Sequence, residues 1–351
     1  MLRRNRLGKV EPTLSGRTKQ PALSAARRSR GCVPALSAPQ STFTTTGAIY
    51  IPMTDLDSLH PHHIDLHYHA GQERQPGTTL EGYLDHAAMT GRIILGVTDH
   101  LEKYIGLPLS SAWDPPLYEQ SVAGLQAYRA DVDALRGAYP SLRIFFGPEI
   151  HASPRIDLRR IPQGVVDVSD YFLSSLPDSE GPIDRNTAAK IERLHAMADL
   201  RERTGRPVFV AHPFRSAVDR QLVKRPIAPW VTALAPRGPD AFSDEEVNRF
   251  FGFDMRAVGR ACAELALPIE INGGTDGRIR GINLPAPLQL LWAAYRIAKS
   301  EGATFVPGSD QHAYLRTPER REGRYIPFDA FNYLGLNARD LVFVRQLLGE
   351  P

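Results

Sequence analysis

Seven short apolar runs, rich in β-branched and aromatic residues, punctuate the chain from residue 63 onward, and each gives way to polar or charged side chains. They are His63–His69, Ile93–His100, Arg143–Ile150, Asp170–Pro177, Pro207–Pro213, Pro268–Gly273 and Thr304–His312. Near-continuous apolar runs of this length predict strands buried on both faces, as in a parallel sheet. Amphipathic stretches lie between most of them: Thr79–Thr90, Leu117–Ala138, Asn186–Thr204, Asp254–Ala266 and Ala286–Ser300. Thr79 with early Glu81 reads as a helix start, and Gly91, Gly205 and Gly302 stand where helices stop. Strands alternating with helices predict an α/β fold, either a barrel or a doubly wound sheet. Residues 220–250, with their Pro-rich start and acidic Ser-Asp-Glu-Glu, read as an insertion over one face, bounded broadly by 214–260.

Composition narrows the class. At 351 residues the chain suits one large domain or two small ones. Two cysteines exclude a disulfide framework and a Cys-rich zinc module. No run approaches about 18 consecutive apolar residues, so no membrane span is expected. A secretory h-region is equally lacking, and a cytoplasmic location is the expectation. The net charge of +3 averages two unlike parts. Residues 1–52 hold nine Lys+Arg against one acid, Glu11, a surplus of +8; the remainder holds 33 Lys+Arg against 38 Asp+Glu, a deficit of −5. The basic segment is rich in Ser, Thr, Pro and Ala and reads as disordered. Its charge resembles that of a transit peptide or a nucleic-acid-binding arm, but an extension without chemistry is the favoured reading, and nucleic acid is not the expected partner. Residues 53–351 are then the functional domain, of open oligomeric state.

The histidines and acids fall in a pattern. His67 and His69 end the first run, Asp99 and His100 the second, and Glu149 the third, with His151 two residues later. His212 ends the fifth run; Asp310 and His312 end the seventh. In a barrel, the C-terminal ends of the strands converge on one face. Residues at i and i+2 of a strand point the same way, so His67/His69 and Asp310/His312 can each reach one centre. A strand-end histidine taken singly is more often a hydrogen-bonded surface residue than a ligand. Five imidazoles (His67, His69, His100, His212 and His312) together with two carboxylates at corresponding ends predict a cluster of divalent metals. His86 and His195 lie within helical patterns and His60 and His62 precede the first run, so these are expected to be structural.

Together these motifs resemble the polymerase and histidinol phosphatase (PHP) domain family. The likeness rests on Asp65-Leu66-His67-Tyr68-His69, Thr98-Asp99-His100, Gly147-Pro148-Glu149, Ala211-His212-Pro213, Glu270-Ile271-Asn272 and Gly308-Ser309-Asp310-Gln311-His312, in the family's order across residues 63–312. The resemblance implies a distorted TIM-like barrel of seven β/α units and metal-dependent hydrolysis of a small phosphorylated substrate. It assigns His67, His69, Glu149 and Asp310 to one metal, Glu149 and His212 to a second, and His100 and His312 to a third position. A mixed imidazole and carboxylate set suits Zn²⁺, Mn²⁺ or Fe²⁺ better than Ca²⁺, with two ions expected and three the upper bound. Asp99, His100 and Arg215 are the candidates for catalysis: Asp99 to hold His100 or move a proton, Arg215 to neutralise a substrate phosphate. Glu270 and Asn272 are candidates to orient ligands.

Two departures stand out. The family's fourth strand usually ends Gly-Ser-x-His, whereas this chain reads Ser174-Ser175-Leu176-Pro177, and proline ligates nothing. His151 or Asp178 is the candidate substitute. The family's further ligand after the first histidine pair has no counterpart in Gly71–Gly77. Two other readings compete: an amidohydrolase-like metallohydrolase, and a degenerate domain that binds metal or ligand without turnover. The first usually needs a carboxylated lysine or Glu on a middle strand, and none of the six lysines ends an expected strand.

Overall fold

Each of the seven apolar runs becomes a strand, with one division. The strands are β1 (Ile64–His69), β2 (Ile94–Thr98), β3 (Arg143–Phe146), β4 (Glu149–Ile150), β5 (Phe172–Ser175), β6 (Val208–Ala211), β7 (Ile269–Asn272) and β8 (Phe305–Gly308). The protein, seen in a computed structural model, is described over residues 59–71, 78–104, 115–152, 156–223, 227–312 and 325–349. All of these belong to the unit Ala48–Pro351. The basic segment 1–52 and most of Gly71–Gly77 lie outside the described residues.

The architecture is mixed α/β with parallel sheets, ordered β1-β2-β3 and β4-β5-β6-β7-β8. Every strand except β3 is buried along its full length, as the unbroken apolar runs require. The third run divides at Gly147-Pro148, where proline offers no amide to a ladder. Backbone bonds nevertheless continue across that break and across the other sheet edge. Gly147 N–H donates to Val97 O (3.1 Å) and Glu149 N–H to Asp99 O (2.9 Å). Asp310 N–H donates to His67 O (2.7 Å) and His69 N–H to Gln311 O (2.9 Å).

Tyr171, fully buried, occupies the space among these strands. Its hydroxyl donates to Leu66 O at 2.7 Å, while its ring lies over Gly147. A Cβ at Gly147 would come within 2.6 Å of the ring carbon Cε1, so only glycine leaves room for the aromatic side chain. One residue thus touches the lines of β1, β3 and β5, and it stacks on Phe209 of β6 with centroids 5.8 Å apart.

The crossover helices follow the predicted pattern. Leu80–Met89 starts from Thr79, whose hydroxyl accepts from Gly82 N–H; Met255–Glu264 starts from Asp254, which accepts from Arg256 and Ala257 N–H. Ile183–Thr204 ends on Gly205 at φ 65°, the left-handed closure that glycine permits. Residues 215–251 carry several short helices whose aromatic residues Phe250 and Phe251 are fully buried with Phe214 and Phe253. Gly273–Gly281 is also a helix, although its glycines have poor helical propensity. Asn272 caps it by accepting from Thr275 N–H at 2.6 Å, and Gly273 and Gly274 pack directly on the Tyr325 carbonyl and the Asp310 carboxylate.

Before β1, at the opposite end from the strand-end histidines, His60, His62 and His63 crowd together. His60 Nδ1 and His62 Nδ1 are 2.7 Å apart, a spacing that one shared hydrogen satisfies and two protons cannot. Burial first, then neighbouring positive charge, lowers His62 to about 4 and pushes His63 down; burial lowers His60. A base whose folded value lies below its unfolded value adds stability that is fully present above about 6.5. That contribution is lost as pH falls through 6.5 toward 4. Thermal melts from pH 7.5 to 5 should therefore decline less steeply for His62→Gln than for the unsubstituted protein.

Candidate metal centre

The strand order brings the predicted residues to one point, and that point is Glu149. Its carboxylate, fully buried at the start of β4, is approached by four imidazoles. His67 Nε2 lies 3.2 Å and His69 Nε2 3.4 Å from Oε2, His100 Nδ1 is 3.2 Å from the same oxygen, and His212 Nε2 is 2.6 Å from Oε1. His67 and His69 alternate along β1 with Leu66 and Tyr68, so the two rings share a side and their Nε2 atoms stand 2.9 Å apart. Asp310 approaches from the end of β8, its Oδ1 3.6 Å from His69 Nε2, 4.0 Å from His67 Nε2 and 3.2 Å from His312 Nδ1. The His312 ring stacks on His69 at 3.9 Å.

Two of the converging residues, His212 (φ 27°) and Asp310 (φ 55°), hold left-handed backbone conformations. Such conformations persist only where the surroundings over-determine them. Here His212 N–H donates to Glu270 Oε2 at 2.6 Å, and Asp310 N–H to the His67 carbonyl at 2.7 Å.

Around these groups stands a layer of carboxylates. Glu270, fully buried on β7, has Oε1 2.9 Å from His67 Nδ1 and also accepts from Asn272 Nδ2 at 2.9 Å. Asp99 Oδ1 is 3.7 Å from His69 Nδ1 and accepts from Gly71 N–H at 3.1 Å. Each of the two β1 imidazoles thus turns Nδ1 to an orienting acid and Nε2 to the common centre, the arrangement of metal-bound histidines. Asp310 is divided in the same way: Oδ1 faces the imidazoles, while Oδ2 accepts from Arg215 Nη1. Arg215 also lies 3.9 Å from Asp219, which Arg278 holds at 2.7 Å.

The charges fit a cation. Burial opposes a charge on His67, but Glu270 and Glu149 outweigh it and push its value up to about 10. Burial likewise opposes the Glu149 charge, yet His100, His212 and His67 hold its carboxyl well below the usual range. The pocket therefore binds positive charge strongly, which a divalent ion would supply in place of the proton. The donor spacing fits as well. Zn–N and Zn–O bonds put tetrahedral ligand atoms about 3.3 Å apart, and the His67/His69/Asp310 donors lie 2.9–4.0 Å from one another. Among the described residues, four groups have donor atoms all within 4.8 Å: His67/His69/Asp310, His67/Glu149/His212, His69/His100/His312 and His100/Glu149/His151.

All eight sequence-predicted metal candidates enter these groups. Pro177 offers no side-chain donor, and its carbonyl accepts from the buried Lys190. Lys190 is helical, and among the described residues no strand ends in lysine. Sequence reasoning missed Glu102 and Arg193, which contact His151; the signal for Glu102 was its place two residues beyond His100.

No family model matches the sequence, and no curated protein matches it significantly. Among solved structures, the chain is similar to histidinol phosphate phosphatase from Lactococcus lactis complexed with Zn, L-histidinol and phosphate (TM-score 0.42, 17% identity, 81% of this chain and 93% of that one). It is also similar to a candidate histidinol phosphatase from Listeria monocytogenes (0.41, 14%, 71% and 95%). A 5-methylcytosine deaminase from Klebsiella pneumoniae liganded with 5-fluorocytosine is more remote (0.31, 11%, 78% and 60%). At these values the functional reading stands on the geometry of the chain itself.

Proposed function

We propose that this protein is a metal-dependent hydrolase of small phosphate esters, its strands closed into a distorted TIM-like barrel of seven β/α units. The closure is supported by the backbone bonds from β1 to the residues after β8 and by Tyr171, which touches four strand lines. The observation that carries the function is the convergence on buried Glu149 of four imidazoles from three strand ends, those of β1, β2 and β6. A carboxylate in that position would help hold divalent cations.

His67, His69 and Asp310 would hold one ion, and Glu149 with His212 would hold its neighbour; Zn²⁺, Mn²⁺ and Fe²⁺ all suit such donors. Bound there, the metals supply an activated water and a clamp for phosphoryl oxygens. The chain's own residues do the rest. Glu270, 2.9 Å from His67 Nδ1, and Asp99, 3.7 Å from His69 Nδ1, face the outer edges of the two rings and favour Nε2 turned inward. Arg215, one fifth exposed, pairs with Asp310 and presents its remaining N–H groups for an anionic oxygen. His312, partly exposed on the open side, is the imidazole able to hand a proton to a departing alkoxide.

Metal analysis of purified protein combined with a phosphate-release screen over small phosphomonoesters is the test. The expected result is at least one equivalent of transition metal and phosphate release that chelation abolishes and metal restores. Protein without bound transition metal, or release unchanged in His67→Ala and Asp310→Ala, overturns the reading. Metal-loaded protein that turns over amides but not phosphate esters moves it to an amidohydrolase-type reaction.

A further inference from the structure

We propose that His100, Glu149 and His151 form a separate, exchangeable cation position, with Glu102 and Arg193 as positioning residues for His151. The inference rests on the metallohydrolase reading and adds to it a ligand set particular to this chain. Pro177 leaves the end of β5 without a donor, and the β4 line supplies one instead.

The placement begins with the backbone. His100 and Glu149 are paired as a parallel bridge, which sets their side chains next to each other. His151 follows Glu149 by two residues and returns to the same side. The result is a ring pair, His100 over His151, with centroids 4.2 Å apart and planes at 23°. His100 Nδ1 lies 3.2 Å from Glu149 Oε2, and one donor atom from each of the three residues falls within 4.8 Å of the others. Two stacked imidazoles edged by a carboxylate form a N,N,O set suited to zinc or another first-row divalent ion.

What singles out this group is how His151 is held. Its amide donates to Glu102 Oε1 at 2.9 Å, and its carbonyl accepts from Arg193 Nη2 at 3.0 Å. Glu102 Oε2 stands 3.7 Å from His151 Nδ1, the face opposite Nε2. Arg193 is itself pinned, donating to Ser174 Oγ at 2.8 Å and to Ile156 O at 3.1 Å. Glu102 and Arg193 are 2% and 9% exposed, so an acid and a guanidinium have been taken out of water around one histidine. That burial is costly, and the main-chain clamp on His151 is what it secures. An acid beside the non-ligating nitrogen is the usual partner of a metal-bound imidazole.

Exposure separates this position from the His67/His69/Asp310 one. The His67 and His69 side chains are fully buried, whereas those of His100 and His151 are 15% and 35% exposed. A cation here meets solvent on its open side, as catalytic ions do and structural ones do not. It is expected to be the first lost to a chelator.

The test is metal stoichiometry and affinity in the full chain, read by elemental analysis and by competition with a chromogenic chelator using Zn²⁺. His151→Ala should lose one equivalent, the most weakly held, with its circular dichroism and melting temperature unchanged. Glu102→Gln should keep the stoichiometry at high Zn²⁺ and weaken the same equivalent by roughly 10–100-fold. Unchanged stoichiometry and affinity in both variants overturn the proposal, as does loss of every equivalent in His151→Ala, which would make the residue part of one indivisible centre. A wild-type chain that takes up no Zn²⁺ fails at the earlier step, the metallohydrolase reading itself. A loaded wild type, emptied by His67→Ala but not affected by His151→Ala, defeats this site alone.

Discussion

Glu149→Gln is expected to lower kcat/KM for phosphate-ester hydrolysis by on the order of 10³-fold, beyond the roughly 10–100-fold that loss of an orienting partner costs. The substitution keeps size and shape and removes one negative charge. That charge is the single feature shared by His67, His69, His100 and His212, each within 3.4 Å of the carboxylate. A neutral amide donates from one end and cannot bridge two cations, so metal content should fall together with activity. Elemental analysis alongside steady-state kinetics checks it. Full metal content with unchanged turnover would remove Glu149 from the centre. Because four imidazoles then face an uncharged group, the variant should bind no more protons than the wild type near neutral pH, and its fold should survive.

Gly308→Ala is expected to be nearly as damaging, although it alters no candidate ligand. A Cβ at this position would run into Glu270 Oε1 and come within 2.8 Å of His67 Cβ. Both neighbours are fully buried, and neither has space into which to move. Overpacking of this kind costs about 1–3 kcal/mol. The strain falls on the 2.9 Å contact between Glu270 and His67 Nδ1, and through Glu270 Oε2 on the left-handed His212. The variant should therefore melt several degrees lower and hold metal roughly 10–100-fold more weakly. Gly277→Ala is the control: a Cβ there would meet nothing within 4 Å and its position is helical, so the substitution should leave metal affinity unchanged and raise melting slightly rather than lower it. Equal behaviour of the two variants would show that Gly308 does not shape the centre.

Much of this centre is written in short stretches of sequence. His67 and His69 share a side because strand side chains alternate, and that follows from an apolar run that ends His-Tyr-His. The grouping of Asp310 with His312 is legible in the same way, and Asp310 Oδ1 and His312 Nδ1 do stand 3.2 Å apart. The helices between strands were legible where caps and apolar spacing agreed, as at Thr79 and Asp254. Gly273–Gly281 was not, because its helix depends on the Asn272 cap and on close approach to Asp310 and Tyr325 rather than on propensity. The division of the third run at Gly147-Pro148 was hidden too, since an apolar run reports burial but not which neighbour a strand pairs with.

Local pattern, then, determined which residues sit at strand ends and which type of chemistry they carry, because periodicity and residue type are properties of neighbours in the chain. Tertiary structure decided how they divide the work. That Glu149 rather than Asp310 is the point of convergence, that Glu270 reaches both His67 and His212, and that Arg215 meets the outer oxygen of Asp310 are contacts across 58 to 203 residues of sequence. So is the Arg193 clamp on His151, 42 residues away. Strand order and register set these distances through packing of the whole interior, and the order of residues along one strand carries no record of them.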